Sequence, residues 1–256
     1  MNCIFCGKVV ESPSKEHIVP ESLGNDYYIL EQGFICGKCN NSFSDFEDKA
    51  LSKTMLGFER VRLGIITKKG NAAQSQSRNI KVVGDKKFRQ NIITVYGLEE
   101  KDIEDLGDGS FTIKVLDFDK SDMATSKLLL KIGLESLFQS QRPIYKNNNF
   151  QELREHLNKV NNNNWPILTT SNKSPALNGF KSSPRFIDKK RLKDIRCKIL
   201  FKEIDEETLL LNFRYSVLSY VVNLKSRSID WCIPFFKVDN LANLYPEHLK
   251  KKLKLS

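Results

Sequence analysis

The sequence predicts an α+β protein, in which a small cysteine-rich domain at the N-terminus precedes a larger mixed α+β domain. Two observations predict this arrangement. Four cysteines near the N-terminus form two Cys-x-x-Cys pairs, accompanied by short extended segments and a helix pattern. The rest of the 256-residue chain mixes strand and helix patterns without an internal repeat. We place the domains at residues 1–66 and 79–256, joined by a polar linker or mobile loop at residues 67–78.

The paired cysteines predict a structural zinc site. Cys3 and Cys6 form one pair, Cys36 and Cys39 form the other, and 29 residues separate the two pairs. Each pair can place two sulfurs on one tetrahedral ion, and four sulfurs close its coordination shell. Because the first pair begins almost at the N-terminus, we expect no signal peptide. We therefore expect zinc binding in a reducing cytoplasm rather than disulfide bonds.

Extended segments and a helix are expected around this site. Residues 15–19 read as an extended segment that Pro20 ends, because proline disfavours helix at the residue before it. Residues 28–35 form a hairpin-like approach to the second cysteine pair. A helix is predicted from Asn40 to about Met55, with apolar side chains along one side. Zinc sites of the treble-clef type have this order of elements.

The larger domain is predicted to be α+β, with no assigned topology. Its strongest helix pattern covers residues 121–138, where Leu128, Leu129, Ile132 and Leu137 share an apolar face. Further helices are expected at residues 57–66, 150–160 and 241–253, and strands at 80–83, 92–96, 111–118, 165–170, 197–203, 207–214, 216–224 and 230–238. His156 and His248 fall in charged helical contexts, and we expect both at the surface without a functional role.

Composition and charge indicate a globular protein that binds a polyanion. Charged residues make up 28% of the chain, and no apolar run approaches the ~20 residues of a membrane span, so no membrane partner is expected. The net charge is +10, but residues 1–56 carry five lysines against eight acids, which leaves +13 on the rest. A basic C-terminal part that follows an acidic, metal-binding N-terminal part suits an enzyme that acts on a polyphosphate backbone. The alternative is a solvated basic surface.

Two basic clusters are the candidate phosphate-binding surfaces, at residues 68–89 and 181–198. The first holds seven lysines and arginines against one acid, and the second holds eight against two. Phenylalanines within the clusters could pack against or stack on nucleic acid. The alternative for either cluster is a solvated basic surface that binds no phosphate.

Glu16, His17 and Asn40 form the candidate catalytic group. Glu16 and His17 are neighbours on an extended segment, so their side chains point to opposite faces. One can bind a cation while the other reaches an attacking water, and Asn40, directly after Cys39, can complete the cation's ligands. Carboxylate and amide oxygens suit Mg²⁺. Taken alone, His17 would more often be a structural histidine; its position between two zinc knuckles favours catalysis.

The combination of Cys-x-x-Cys, Glu-His-Ile-Val-Pro, Leu-Gly and Cys-x-x-Cys-Asn resembles the HNH endonucleases of the ββα-metal type, over residues 3–51. The resemblance implies His17 as general base, and Glu16 and Asn40 as ligands of a catalytic Mg²⁺ or Mn²⁺. It implies DNA as substrate, products with 5′-phosphate and 3′-hydroxyl ends, and a role in restriction or anti-phage defence. The structural zinc ligands would be Cys3, Cys6, Cys36 and Cys39.

This sequence departs from the family pattern at two points. Glu16 stands where aspartate is commoner, and the asparagine that orients the histidine loop has two candidates, Asn25 and Asn41. These departures leave open a zinc-stabilised DNA-binding module with a vestigial nuclease centre. A further alternative is an effector nuclease gated by an activating ligand or partner protein that the C-terminal domain senses. Cutting both strands often needs two active sites, so a homodimer is a reasonable expectation.

Overall fold

The computed structural model describes residues 1–77, 80–113, 122–158, 164–183 and 197–253. Helices and antiparallel strands are mixed throughout these ranges, as the predicted α+β class requires. None of the described helices combines the length and the apolar character that crossing a bilayer requires.

The N-terminal region consists of a short hairpin and two helices. Strands β1 (Glu16–His17) and β2 (Ile29–Leu30) pair antiparallel, and His17 lies opposite Ile29. Helix α1 (Gly37–Lys53) follows, and α2 (Met55–Arg62) begins after Thr54, whose Oγ1 accepts a hydrogen bond from the Leu56 amide at 3.2 Å. The predicted hairpin and helix are confirmed, although α1 begins three residues before Asn40.

Helix α3 (Asp122–Ser140) lies at the centre of the molecule. Leu128, Leu129 and Ile132 are completely buried on it, and one apolar cluster runs from Phe43 of α1 through α3 to Leu224. The N-terminal region therefore shares its core with the rest of the chain. Two shorter helices follow α3: α4 (Arg142–Asn147) and α5 (Gln151–Asn158).

A six-stranded antiparallel sheet packs beside α3. Its strand order is β13-β8-β12-β11-β10-β9. Gly133 of α3 lies so close to this sheet that an added Cβ would stand 2.7 Å from a methyl carbon of Leu224, so a larger residue here would force that leucine to shift. The strands are β8 (Ile167–Thr169), β9 (Lys181–Ser182), β10 (Lys198–Asp205), β11 (Thr208–Tyr215), β12 (Leu218–Asn223) and β13 (Asn243–Tyr245).

Two small sheets occupy the segment between α2 and α3. A three-stranded sheet contains β3 (Gln74–Ser77), β4 (Ile80–Gly84) and β5 (Ile93–Tyr96), and a hairpin contains β6 (Ile103–Asp105) and β7 (Phe111–Ile113). Strand β3 lies inside the segment that the sequence assigns to a linker. The end of the predicted strand at 111–118 falls outside the described residues.

Two C-terminal predictions are wrong. The predicted strand at 230–238 is a 3₁₀ turn followed by α6 (Ile233–Val238), where Pro234 in the first turn favours a helix start. The predicted helix at 241–253 is replaced by β13 and a 3₁₀ segment, Glu247–Lys252. Pro246 separates the two, because proline cannot continue a helix across that position.

Candidate active site

The four N-terminal cysteines come together as predicted. Their sulfur atoms all lie within 4.8 Å of one another, and the Sγ atoms of Cys6 and Cys36 are 3.8 Å apart. A tetrahedral zinc ion with bonds of about 2.3 Å needs sulfurs about 3.8 Å apart, so the cluster fits a closed structural site. The interaction with Cys39 lowers the pKa of the Cys3 thiol to about 4. The cluster therefore holds a thiolate at neutral pH, the form that binds metal.

The cysteine cluster fixes the start of α1. The Cys36 sulfur accepts a hydrogen bond from the Cys39 amide at 3.4 Å and so caps the helix. Below it, the rings of Phe5 and Phe43 pack edge to face, with centroids 4.8 Å apart. An isolated bridge between Pro13 and Cys36 brings the segment before β1 beside the helix start. The cysteines thus hold the hairpin and α1 in one rigid unit.

His17 lies on the open side of the hairpin. Its side chain is half-buried, and the nearby charged groups are Glu21, Lys15, Glu16 and Lys68. Burial lowers its pKa below the ordinary 6.5 and outweighs the opposing effect of Glu21, so the ring is neutral near pH 7. Among the described residues none forms a hydrogen bond with the ring, which leaves a ring nitrogen free to accept a proton.

Asn25 holds the loop that follows His17. Its side chain is completely buried, and its Nδ2 donates to the carbonyl oxygens of Val19 at 2.6 Å and Tyr28 at 2.9 Å. Its Oδ1 accepts from the amides of Tyr27 and Tyr28 at 3.0 and 2.8 Å. All four bonds close the loop between β1 and β2. Asn41, the other candidate for this role, is exposed on α1.

We expect Asn25→Ala to lower the free energy of unfolding by about 3 kcal/mol, because it leaves buried backbone groups without partners. Denaturant unfolding measures the effect. Asn41→Ala is the matched control, and we expect a change within about 0.5 kcal/mol at this exposed site. Equal stabilities of the two variants would contradict the role of Asn25.

Glu16 points into the protein, on the opposite side of β1 from His17. Its Oε1 accepts a hydrogen bond from the Nζ of Lys131 on α3 at 2.5 Å, and its side chain is 10% exposed. Its Oε2 accepts none from the described residues. The predicted role of Glu16 as a cation ligand stays a prediction, and in this geometry only Oε2 is available for it.

Asn40 lies in the first turn of α1, on the side that faces β1. Its Nδ2 donates to the Oγ of Ser14 at 3.3 Å, and its carbonyl oxygen accepts no hydrogen bond from the part of the chain that the structure describes. Ser14 and Glu16 are two residues apart in an extended segment and so lie on the same side of it. Glu47 lies about two turns beyond Asn40 on the same face of α1. Both elements therefore carry oxygen atoms on these sides, and the ammonium group of Lys131 lies 3.0 Å from Oε1 of Glu47. Carboxylate and amide oxygens are ligands that suit Mg²⁺ or Mn²⁺.

The segment that contains the cysteine cluster, the hairpin and α1 matches a known protein family. Residues 3–56 match the HNH endonuclease family. The matching segment, hereafter the HNH domain, covers about a fifth of the chain and supports nuclease activity. No curated protein and no solved structure gave a significant match to the chain.

Sequence reasoning missed the residues that contact the HNH domain from outside. Lys131 and Glu135 of α3 are completely buried beside Glu16 and Glu47. Their only signal in the sequence is a spacing of four residues, which is usual for exposed ion pairs on helices.

The prediction that His156 lies at the surface is wrong. It is 1% exposed, and its ring packs against Trp165 with centroids 5.3 Å apart. The Nδ1 atom lies 3.2 Å from Nη2 of Arg227, and burial lowers the pKa of His156 to about 4. This histidine is therefore a neutral core residue of the region that follows the HNH domain in the chain.

Part of the first basic cluster is available for phosphate binding. Lys81, Lys86 and Lys87 are exposed around β4, whereas Lys68 pairs with Glu21 at 3.0 Å and Arg89 with an aspartate of its own turn at 2.9 Å. Arg78 lies outside the described residues. So do residues 184–196, which contain most of the second basic cluster.

Proposed function

We propose that this protein is a metal-dependent DNA endonuclease with His17 as its general base. The observation that carries the proposal is the position of His17 in the HNH domain. The ring is half-buried and neutral, it lies on the open side of β1, and the cysteine cluster and Asn25 hold the strand from either end. A base held in this way can take a proton from a water molecule that approaches from solvent.

The reaction is the hydrolysis of a phosphodiester bond. His17 takes a proton from water as the water oxygen bonds to phosphorus. The bond from phosphorus to the 3′ oxygen breaks, and that oxygen takes a proton from solvent water. The products carry 5′-phosphate and 3′-hydroxyl ends. A bound divalent cation would stabilise the charge that develops on the phosphate and on the departing oxygen. Asn40, oriented by Ser14, and the Oε2 atom of Glu16 are the residues that would hold it.

The charge distribution supports DNA as the substrate. The chain beyond residue 56 carries +13, and Lys81, Lys86 and Lys87 are exposed on it. Such a surface attracts the phosphate backbone irrespective of sequence, and its contribution falls steeply with added salt. We therefore expect DNA binding to weaken strongly between about 50 and 200 mM salt, as a filter or anisotropy titration can measure. A DNA affinity that does not change with salt concentration would contradict this assignment.

The experiment that tests the proposal is incubation of zinc-loaded protein with supercoiled plasmid. We expect nicked or linear DNA when Mg²⁺ or Mn²⁺ is present, and intact plasmid without either ion. Cleavage independent of added cation would contradict the proposed chemistry. Binding without cleavage would instead favour the zinc-stabilised DNA-binding module, and cleavage only after addition of a nucleotide or partner would favour a gated effector.

Three predictions from the family resemblance and the sequence remain predictions. They are a role in restriction or anti-phage defence, a homodimer and a cytoplasmic location.

A further inference from the structure

We propose that Lys131 is a positioning residue of this nuclease centre. Its ammonium group holds one oxygen of Glu16 so that the other oxygen faces the cation site at the start of α1. The inference rests on the proposed function and extends it to α3, which lies outside the HNH match.

The geometry that carries the proposal is an ammonium group among three carboxylates from three different elements. Lys131 Nζ lies 2.5 Å from Oε1 of Glu16 on β1, 3.0 Å from Oε1 of Glu47 on α1, and 3.3 Å from Oε2 of Glu135 on α3. The Lys131 side chain is completely buried, whereas those of Glu16 and Glu47 are 10% and 23% exposed. The buried ammonium group thus links β1, α1 and α3, and it contacts one of the two carboxylate oxygens of Glu16.

The electrostatics of the cluster keep Lys131 charged. Burial by itself lowers the pKa of Lys131, but the carboxylates of Glu135, Glu47 and Glu16 outweigh it, and the pKa lies above the ordinary value. Burial raises the pKa of Glu135 well above its ordinary value, which favours the neutral form of that acid. A buried ammonium group is costly unless it is paired, so the position of Glu16 is coupled to the presence of this lysine.

A group that hydrogen-bonds a metal-ligating carboxylate affects how tightly the metal is bound. Carboxylates that ligate a metal are usually hydrogen-bonded by a second group, which fixes the orientation of the ligand. Lys131 makes this contact with Glu16, whereas Ser14 makes the corresponding contact with Asn40. Each of the two expected cation ligands therefore has a partner that leaves one oxygen atom free.

The test is the affinity of the zinc-loaded protein for Mn²⁺, measured by calorimetry in the absence of DNA. We expect Lys131→Met, which keeps the length of the side chain and removes its charge, to weaken Mn²⁺ binding at least about tenfold. Lys127→Met, one turn earlier on α3, is the matched control and should leave the affinity unchanged. A purely structural lysine would lower the unfolding temperature only, so a folded Lys131→Met protein with wild-type Mn²⁺ affinity would overturn the proposal.

A second variant keeps the proposal testable if Lys131→Met does not fold. The double variant Glu16→Gln/Lys131→Met removes both charges of this ion pair. Of the two carboxylates that remain, Glu47 is 23% exposed, and burial raises the pKa of Glu135 and favours its neutral form, so the variant should fold. Because Lys131 acts through Glu16, we expect the double variant to bind Mn²⁺ as Glu16→Gln alone does. A further tenfold loss in the double variant would overturn the proposal. Absence of Mn²⁺ binding to the wild-type protein would instead overturn the proposed function itself.

Discussion

Replacing Cys36 by serine is expected to unfold the HNH domain. The substitution removes one of four sulfurs from a closed site, and structural zinc supplies about 10 kcal/mol or more of apparent binding energy in small zinc sites. Serine is itself a good residue at a helix start, so the capping of α1 that Cys36 provides can be kept. The variant therefore tests the loss of the metal ligand while the cap of α1 is kept. We expect less than one zinc per chain and a strongly lowered unfolding temperature.

The matched control for this prediction is Cys197→Ala. Cys197 is completely buried but lies far along the chain from the cysteine cluster. We expect this variant to keep one zinc per chain and to lose only the stability that a small change in the core costs, about 1 kcal/mol. Metal content by mass spectrometry and thermal unfolding measure both variants. A Cys36→Ser protein that holds zinc and unfolds at the wild-type temperature would contradict the structural role of the cluster.

Local patterns made the HNH domain predictable from the sequence. The spacing of the cysteines, the proline after Val19 and the polar start of α1 each act within a few residues, and the structure has the cysteine cluster, the hairpin and the helix that they predict. The position of Glu16 and His17 on opposite sides of β1 also follows from the two-residue period of an extended chain.

The surroundings of Glu16 could not be predicted, because they depend on a contact over 115 residues. Helix α3 is buried on nearly all sides, from Leu128 to Leu137, so Lys131 has no route to solvent. An amphipathic pattern would place such a lysine on a polar face. Only the packing of α3 against α1 brings it to the carboxylates of the HNH domain.

The C-terminal errors have a similar cause. Residues 230–238 are apolar enough for a buried strand, and short apolar runs do not distinguish a strand from a buried helix. Tertiary packing decides: Trp231 and Phe235, four residues apart, pack edge to face in the cluster under β8. For residues 241–253, the lysine-rich end suggested a helix, but Leu244 lies buried opposite Leu168 in the sheet.

Replacing His17 by alanine is expected to slow cleavage at least about 100-fold and to change little else. A positioned general base contributes about 10²- to 10⁴-fold to the rate of a hydrolysis. The ring is half-exposed and forms no hydrogen bond with the described residues, so its removal should leave zinc content, unfolding temperature and DNA affinity close to wild type. His248→Ala is the matched control, because His248 is exposed on the C-terminal 3₁₀ segment.

The most direct test of the central claim compares plasmid cleavage by zinc-loaded wild type, His17→Ala and His248→Ala at the same Mg²⁺ concentration. We predict that the wild type and His248→Ala cut at similar rates, and that His17→Ala cuts at least about 100-fold more slowly while it binds the same DNA equally well. If folded, zinc-loaded His17→Ala cuts plasmid at the wild-type rate, His17 is not the base and the catalytic account is contradicted.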